Sequence, residues 1–191
     1  MKSNIAIVNS KSFGLYSNAL ETLKELGTIE RIEVPRDLRG SKLAEALRDY
    51  DVIIASVTPY YDEDFFRYNS RVRMIARHGI GIDNVDVDAA TRFGVVVTRV
   101  PGHVEREAVA EHAVALILAA LRNLINAHLK VVEGRWGERG KFVCHELRSL
   151  KVGLIGIGNI GSRVAEILTK GFNAKVIAYD PYVSAERARE L

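Results

Sequence analysis

The strongest constraint on the fold is an alternation of short apolar runs with longer amphipathic runs along the first hundred residues. The apolar runs predict five strands, at residues 5–8, 29–34, 52–57, 72–76 and 95–98. The amphipathic runs between them predict helices at residues 18–26, 41–47, 62–68 and 86–93. Gly27 is the predicted end of the first helix. Because parallel neighbours need a crossover connection, usually a helix, this order predicts a doubly wound α/β fold with a parallel sheet.

A long helix is predicted from about residue 105 to residue 134. Its middle, Ala113–Leu121, is apolar on every face, and a helix of that kind must be covered on every face. Flanking domains or a second subunit would provide this cover, so we expect a homodimer. The apolar run is also too short for a membrane span, which needs about 18 residues.

The composition argues against several other classes of protein. A net charge of +3 with 48% hydrophobic residues is typical of a folded globular chain. The 27 basic residues form no basic block, so nucleic acid is not an expected partner. Cys144 is the only cysteine and the histidines lack metal-ligand spacing, so we expect neither a disulfide nor a metal site. The amino terminus lacks a signal peptide's apolar stretch, so we expect a cytoplasmic protein without membrane contacts.

The most informative motif follows an apolar strand predicted at residues 152–157. Gly156, Gly158 and Gly161 form G-x-G-x-x-G, and a helix is predicted to follow and to end at Gly171. In this context the first glycine permits a tight turn and the second lets the backbone approach a pyrophosphate. The third lets the helix pack closely on the strand. The alternative is a tight turn that binds nothing.

Three further residues complete the predicted nucleotide site. The helix begins at Asn159 and Ile160, where free N–H groups and the positive end of the helix dipole favour phosphate. A second strand, predicted at residues 175–179, ends in Asp180, which can accept hydrogen bonds from the ribose hydroxyls. Its charge would repel a 2′-phosphate, so the predicted cofactor is NAD rather than NADP. By contrast, the connection at residues 9–14 has no phosphate-loop pattern, and we interpret it as a plain loop.

Two segments of the chain resemble the D-isomer-specific 2-hydroxyacid dehydrogenases. Residues 76–86, ARHGIGIDNVD, are similar to that family's A-R-x-G-x-G-x-D-N-V-D segment. Residues 109–136 and the glycine motif that follows are the second similar region. The resemblance implies a flavodoxin-like substrate domain at residues 1–101 and the first part of a Rossmann NAD-binding domain at residues 102–191. It also implies dimerisation through the helix at residues 105–134.

The resemblance further assigns a substrate-binding loop. In the family, a glycine-rich turn presents backbone N–H groups to the carboxylate of a small 2-hydroxy or 2-keto acid, which here implies the amides of Ile80 and Gly81. Main-chain donors in a glycine turn suit a small anion. His78 is expected to line the cleft without a role in proton transfer. Phosphoglycerate dehydrogenases carry an arginine where this chain has Ala55, so the identity of the acid stays open.

The family's catalytic arginine, carboxylate and histidine follow the second Rossmann strand, whereas this chain ends at Leu191, soon after Asp180. We therefore expect no catalytic side chain within these residues, a truncated product and no turnover by the chain alone. A non-catalytic NAD-binding or redox-sensing module and an oligomerising fragment are the alternatives. Two remaining groups of residues are expected to be structural: Glu111 and His112 on the long helix, and Asp83, Asn84 and Asp86 as a turn and helix cap rather than a cation site.

Overall fold

The computed structural model describes residues 2–190 and divides into two compact units, one ending at Pro101 and the other beginning at Gly102. The first unit contains a five-stranded parallel sheet in the order β2-β1-β3-β4-β5. Its strands are β1 (Ser3–Val8), β2 (Gly27–Ile32), β3 (Val52–Ala55), β4 (Met74–Arg77) and β5 (Val96–Arg99). Its helices are α1 (Ala19–Leu26), α2 (Gly40–Ala46), α3 (Glu63–Tyr68) and α4 (Val87–Arg92). The predicted parallel α/β fold is thereby confirmed.

Several predicted boundaries of this unit are wrong by a few residues. The predicted end of α1 is confirmed, because the helix ends at Leu26 and Gly27 is its C-cap residue. The strand predicted at residues 29–34 begins two residues earlier, since Gly27 opens β2 and pairs with Ser3. The strand predicted at residues 52–57 ends at Ala55, since the chain leaves the sheet there to form a loop. Val57, the last apolar residue of the predicted strand, lies in this loop and is exposed.

Helices cover both faces of the five-stranded sheet. One buried cluster joins Ala6, Val8 and Ile53 of the sheet to Tyr61 and Phe65. Residues Ile5, Ile7 and Ile54 face the opposite side, where Leu20 and Leu23 of α1 pack against them. Burial on both faces explains why these strands are continuously apolar rather than alternating.

The single long helix predicted at residues 105–134 is wrong. The chain forms α5 (Arg106–Leu121) and α6 (Leu124–Val132), with a bend of 63° between them. Asn123 adopts the left-handed conformation with φ 50°, and its side-chain amide donates to Val143 O at 2.7 Å. Asparagine tolerates this backbone conformation better than most residues, so it ends one helix and starts the other.

Within residues 2–190 no single helix is both long and apolar enough to cross a membrane. Only α5 and α6 counted together, across their bend, reach that length and composition.

The second unit contains a two-stranded parallel sheet, β6 (Lys151–Ile155) and β7 (Lys175–Tyr179). Helix α7 (Asn159–Phe172) connects the strands and α8 (Ala185–Glu190) follows them, while short 3₁₀ helices lie at Trp136–Lys141 and Leu147–Ser149. The helix predicted to end at Gly171 continues to Phe172, and Asn173 in the left-handed conformation ends it. The core forms where α5 packs on α7, around Ala110, Val114, Leu147, Val164 and Leu168.

Candidate functional site

The loop that follows β4 presents two free backbone donors. Its start is fixed, because His78 N–H donates to Ala55 O at 2.8 Å and Gly79 N–H donates to Arg77 O at 2.9 Å. Gly79 has φ 146°, a conformation that favours glycine, and this turns the chain away from the sheet. Within residues 2–190, the N–H groups of Ile80 and Gly81 have no acceptor. The loop can therefore donate two hydrogen bonds to a small anion.

A buried positive charge lies beneath this loop. Arg77 is 8% exposed, donates to His78 O, and forms no ion pair with any residue from 2 to 190. It lines a cavity of about 200 Å³ together with Val57, Tyr60, Gly81, Asp83 and Asn84. Asp83 forms no ion pair with Arg77, so the guanidinium can still attract an anion in this cavity, although the charge of Asp83 opposes that attraction.

Tyr61 is the other unpaired polar group in this region. Its hydroxyl and Arg77 Nε are both buried without a hydrogen-bond partner among the described residues. Burial raises the pKa of Tyr61, while the charge of Arg77 acts in the opposite direction. The phenol is therefore neutral at physiological pH.

The loops after β1 and β4 are joined by a side-chain contact that the sequence analysis missed. Ser10 Oγ lies 2.7 Å from His78 Nδ1, and the Phe13 ring meets the imidazole edge-on at 5.1 Å between centroids. Arg31 fastens the same loop by donating to Ser10 O at 2.9 Å and to Phe13 O. Residues 9–14 are therefore an anchored part of this edge rather than a plain loop. In a parallel sheet the carboxyl ends of all strands share one edge, and that rule could have signalled the contact.

The glycine motif has the geometry that a nucleotide-binding turn requires. Gly156 has φ 89°, and a Cβ atom added to Gly161 would lie 2.1 Å from Gly156 O, so α7 packs directly on the turn. At Gly158, apart from chain neighbours, no described atom lies within 4 Å of the position of an added Cβ. Asn159 and Ile160 form the first turn of α7, where helical N–H groups lack an acceptor within the helix. The turn at Gly158 therefore leaves open space beside the free backbone N–H donors of α7.

Asp180 lies at the end of β7, beside the glycine turn. Its Oδ2 accepts from Ile157 N–H at 2.9 Å, and its Oδ1 accepts from Tyr182 N–H at 2.8 Å. The bond from Ile157, followed by the bond from Tyr182, lowers the pKa of Asp180 below its usual value. A carboxylate has about four acceptor positions, and the backbone N–H groups of Ile157, Tyr182 and Val183 use three of them, so about one is left for a further donor. The side chain is thus both held in place and still able to accept from a diol.

The remaining polar candidates have structural contacts. Asp86 caps α4 by accepting from Ala89 N–H at 2.9 Å, and Asn84 donates to Ser56 O and Pro59 O. Both contacts agree with the interpretation of this segment as a turn and a helix cap. Glu111 and His112 lie on the exposed side of α5. Across residues 2–190 no three metal-binding side chains come together.

Comparison with known proteins shows similarity along nearly the whole chain. The profile for the catalytic domain of D-isomer specific 2-hydroxyacid dehydrogenases matches residues 6–190. D-3-phosphoglycerate dehydrogenase of Archaeoglobus fulgidus is 38% identical over 160 residues, which cover 84% of this chain and 30% of that protein. Glyoxylate reductase of Pyrococcus furiosus is 32% identical over 180 residues, which cover 91% of this chain and 53% of that protein.

The fold comparison gives the same result. The crystal structure of D-lactate dehydrogenase from Aquifex aeolicus, complexed with NAD and lactic acid, matches with a TM-score of 0.75 at 26% identity. The match covers 98% of this chain and 54% of that one. The chain thus spans between about three tenths and about half the length of these relatives. Sequence and fold together show that this chain belongs to the family of D-isomer specific 2-hydroxyacid dehydrogenases.

Proposed function

We propose that this chain forms the carboxylate-binding loop and the adenosine-binding half of an NAD-dependent dehydrogenase that acts on a D-2-hydroxy acid or its 2-keto form. The observation that carries the proposal is the open space at Gly158, which lies between the first turn of α7 and a fixed, ionised Asp180. Ligand-free tight turns have no need for an open glycine at this position. A pyrophosphate fits there because its oxygens would approach backbone N–H groups that no side chain covers.

In this proposal each residue of the motif has a separate task. Asn159 and Ile160 donate backbone hydrogen bonds to the pyrophosphate, and Gly156 and Gly161 hold the turn that aims these donors. The remaining acceptor position of Asp180 binds the ribose diol, and its charge disfavours a 2′-phosphate. When bound, NAD supplies the hydride acceptor of the reaction.

The substrate half of the proposal rests on the loop after β4. The unpaired N–H groups of Ile80 and Gly81 donate to the substrate carboxylate, and the buried charge of Arg77 adds electrostatic attraction. Successive main-chain N–H donors form a concave site that suits a carboxylate. The same contacts serve a 2-hydroxy acid and a 2-keto acid equally well.

We further propose that the chain alone binds these ligands without turnover. Proton transfer at a substrate oxygen needs an acid–base group, most often a histidine oriented by a carboxylate. No histidine in residues 2–190 is hydrogen-bonded or ion-paired to a carboxylate, and His78 instead has Ser10 at its Nδ1. A module that only senses NAD would also bind NAD without turnover. Such a module would not require the carboxylate loop.

We also propose a homodimer, now placed on α5 and α6 rather than on one continuous helix. Large apolar side chains on these helices and just beyond them are exposed, including Leu116, Leu124, Ile125, Val132 and Trp136. Contiguous apolar surface of this kind is typical of an interface. Light scattering is expected to give twice the chain mass of 21.2 kDa. A mass of 21.2 kDa would contradict this proposal.

Isothermal titration of NAD tests the main proposal. Gly158→Ala places a methyl group in the open space without a clash and is expected to weaken NAD binding by at least about tenfold. Gly153→Ala in β6 is the matched control, because its added Cβ also meets no described atom beyond its chain neighbours. Equal binding by both variants would contradict the proposal. NADP should bind more weakly than NAD, and Asp180→Asn should reduce that difference.

A further inference from the structure

The two arginines that end β4 and β5 each hold a carbonyl group of the loop that follows β4. Arg77 and Arg99 are partners in the parallel register, so their strands end side by side. Arg77 Nη1 donates to His78 O, and Arg99 Nη1 donates to Ile80 O at 3.3 Å. The bond from Arg99 joins residues that are 19 positions apart, so it exists because the two strands end at the same edge of the sheet.

The backbone just after β5 makes a third contact with the same loop. Val100 N–H donates to Gly79 O at 3.1 Å. The carbonyl groups of residues 78–80 therefore all have a donor, and two of the three donors come from the end of β5. By contrast, the N–H groups of Ile80 and Gly81 have no acceptor among residues 2–190. The loop is thus held by its acceptors, and its donors stay free.

The held carbonyl groups decide where the free N–H groups point. A peptide unit is planar and trans, so its C=O group and the N–H group of the next residue point in opposite directions. Gly79 O and Ile80 N–H belong to one such unit, and Ile80 O and Gly81 N–H belong to the next. The bond from Val100 therefore sets the direction of the Ile80 N–H group, and the bond from Arg99 sets the direction of the Gly81 N–H group.

The guanidinium of Arg99 also has the charge and the freedom to strengthen this donor. The side chain is exposed and forms no ion pair with any residue from 2 to 190. Its bond to Ile80 O is slightly longer than the usual N–H···O range of about 2.7–3.2 Å. Hydrogen bonds in a chain polarise and strengthen one another. An anion that accepts from Gly81 N–H is therefore expected to strengthen the bond from Arg99, and Arg99 is expected to strengthen the binding of that anion.

We infer that Arg99 is a positioning residue for the substrate carboxylate. It acts through Ile80 O, and through that peptide unit it aims and polarises the Gly81 N–H group. The inference rests on the proposed function, because there the amides of Ile80 and Gly81 bind the carboxylate. An arginine that acted only through its charge would attract the acid without a preference for one amide. The responses of the two amides therefore distinguish positioning from simple attraction.

Chemical shifts of the ¹⁵N,¹³C-labelled chain test this inference, with 2-oxobutyrate as the probe. In the original chain the acid is expected to shift the amides of Ile80 and Gly81 and the carbonyl carbon of Ile80. Arg99→Met removes the donors and keeps an apolar stem, and it is expected to weaken binding about fivefold. At saturating acid, the Gly81 amide and the Ile80 carbonyl carbon should then respond much less. The Ile80 amide, which is aimed through Val100, should respond as before.

A rescue variant and a matched control complete the test. Arg99→Lys keeps the charge and a donor for the same carbonyl group, so it should restore part of the binding and of the Gly81 response. Arg73→Met removes the same group from an exposed arginine that precedes β4, at the amino edge of the sheet, and it should change neither.

Two results would overturn the inference and leave the proposed function intact. One is unchanged binding of 2-oxobutyrate by Arg99→Met, and the other is an equal loss of response at the amides of Ile80 and Gly81. An absence of shifts at both amides in the original chain would overturn the inference together with the proposed carboxylate loop.

Discussion

The two units contain strands of the same type in very different surroundings. Ile53 of β3 is 0% exposed, whereas Ile155 of β6 is 94% exposed, although each precedes a loop of the proposed site. The first sheet has five strands with helices on both faces, and the second has two strands paired only with each other. The carboxylate loop therefore extends from a rigid sheet, while the glycine turn depends on the packing of α5 against α7. We expect substitutions to affect the carboxylate loop through the core of the first sheet, and the glycine turn through the packing of α5 against α7.

The largest effect is expected in the core of the first unit. Phe65 is fully buried and meets Tyr61 and Phe66 edge-on, at centroid distances of 5.1 Å and 5.2 Å. Phe65→Ala should lower the free energy of unfolding of this unit by about 3–5 kcal/mol, because it leaves a cavity among aromatic rings. Hydrogen exchange with mass spectrometry should show faster exchange throughout residues 2–101.

Tyr179→Ala is the control for Phe65→Ala. Tyr179 is an aromatic residue of β7 with most of its surface exposed. Its loss should change the free energy of unfolding by less than about 0.5 kcal/mol. If both variants lost the same stability, the contrast between a covered and an uncovered sheet would be wrong.

The second effect tests the close packing of α7 on the glycine turn. Gly161→Ala forces a Cβ atom against Gly156 O, so α7 must move away from β6. We expect a loss of about 2–3 kcal/mol from the second unit and weaker NAD binding as a consequence. Urea unfolding followed by circular dichroism measures the first result, and calorimetry measures the second.

Gly158→Ala separates the loss of stability of the second unit from the weakening of NAD binding. Its added Cβ meets open space, so NAD binding should weaken while the urea midpoint stays within about 0.5 kcal/mol of the original chain. A Gly161→Ala protein with unchanged stability would show that helix–turn packing does not support the second unit.

The sequence predicted the parts of this molecule that depend on local pattern. Apolar runs indicated the parallel sheet, and the spacing of Gly156, Gly158 and Gly161 indicated a close turn before a helix. The bend at Asn123 was not predicted, because Leu121, Leu124 and Ile125 continue the helical spacing through it. A residue in the left-handed backbone conformation changes the direction of the chain, but it does not change the spacing of apolar residues along the sequence.

The side-chain contacts of the candidate site were harder to predict than its backbone. Ser10 and His78 are 68 positions apart and meet only because β1 and β4 end at the same sheet edge. The burial of Arg77 depends on tertiary packing, which has no signature in composition. Asn9 joins the chain after β2 to the loop after β3 through Val34 and Thr58, which a pattern of apolar residues does not record.

An intermediate effect is expected from Asp51, which joins strands at the amino edge of the first sheet. Its carboxylate accepts from Asn4 N–H at 2.7 Å and from Arg71 Nε at 3.1 Å. The Asn4 bond, with a further contribution from Arg71, lowers the pKa of Asp51 below its usual value. Because the folded pKa is lower than the unfolded value of about 3.9, the stabilisation is complete above that pH and is lost as the pH falls below it.

Asp51→Asn should therefore cost the first unit about 1–2 kcal/mol at neutral pH and much less near pH 2. Urea unfolding at a series of pH values measures this change. Asp49→Asn is the control, because Asp49 is exposed and its ion pair with Arg48 spans 3.7 Å. Identical pH profiles for the two variants would show that the Asn4 and Arg71 contacts add no stability.

The smallest effect gives the most direct comparison of the two sheets, because one methyl group is removed from the same residue type in each. Ile53→Val lies in a covered strand and should cost about 1 kcal/mol, since the surrounding side chains only partly close the space. Ile155→Val lies in an uncovered strand of the isolated chain and should cost less than about 0.3 kcal/mol. Valine retains the β-branched shape, so strand propensity is nearly unchanged at both positions.

Urea unfolding at low protein concentration measures the change in free energy of unfolding for the isolated chain. The same measurement at high protein concentration includes any contribution from self-association. A cost at Ile155 that equals the cost at Ile53 only at high concentration would show that a second copy covers β6, whereas an equal cost at every concentration would mean that the two sheets are buried alike.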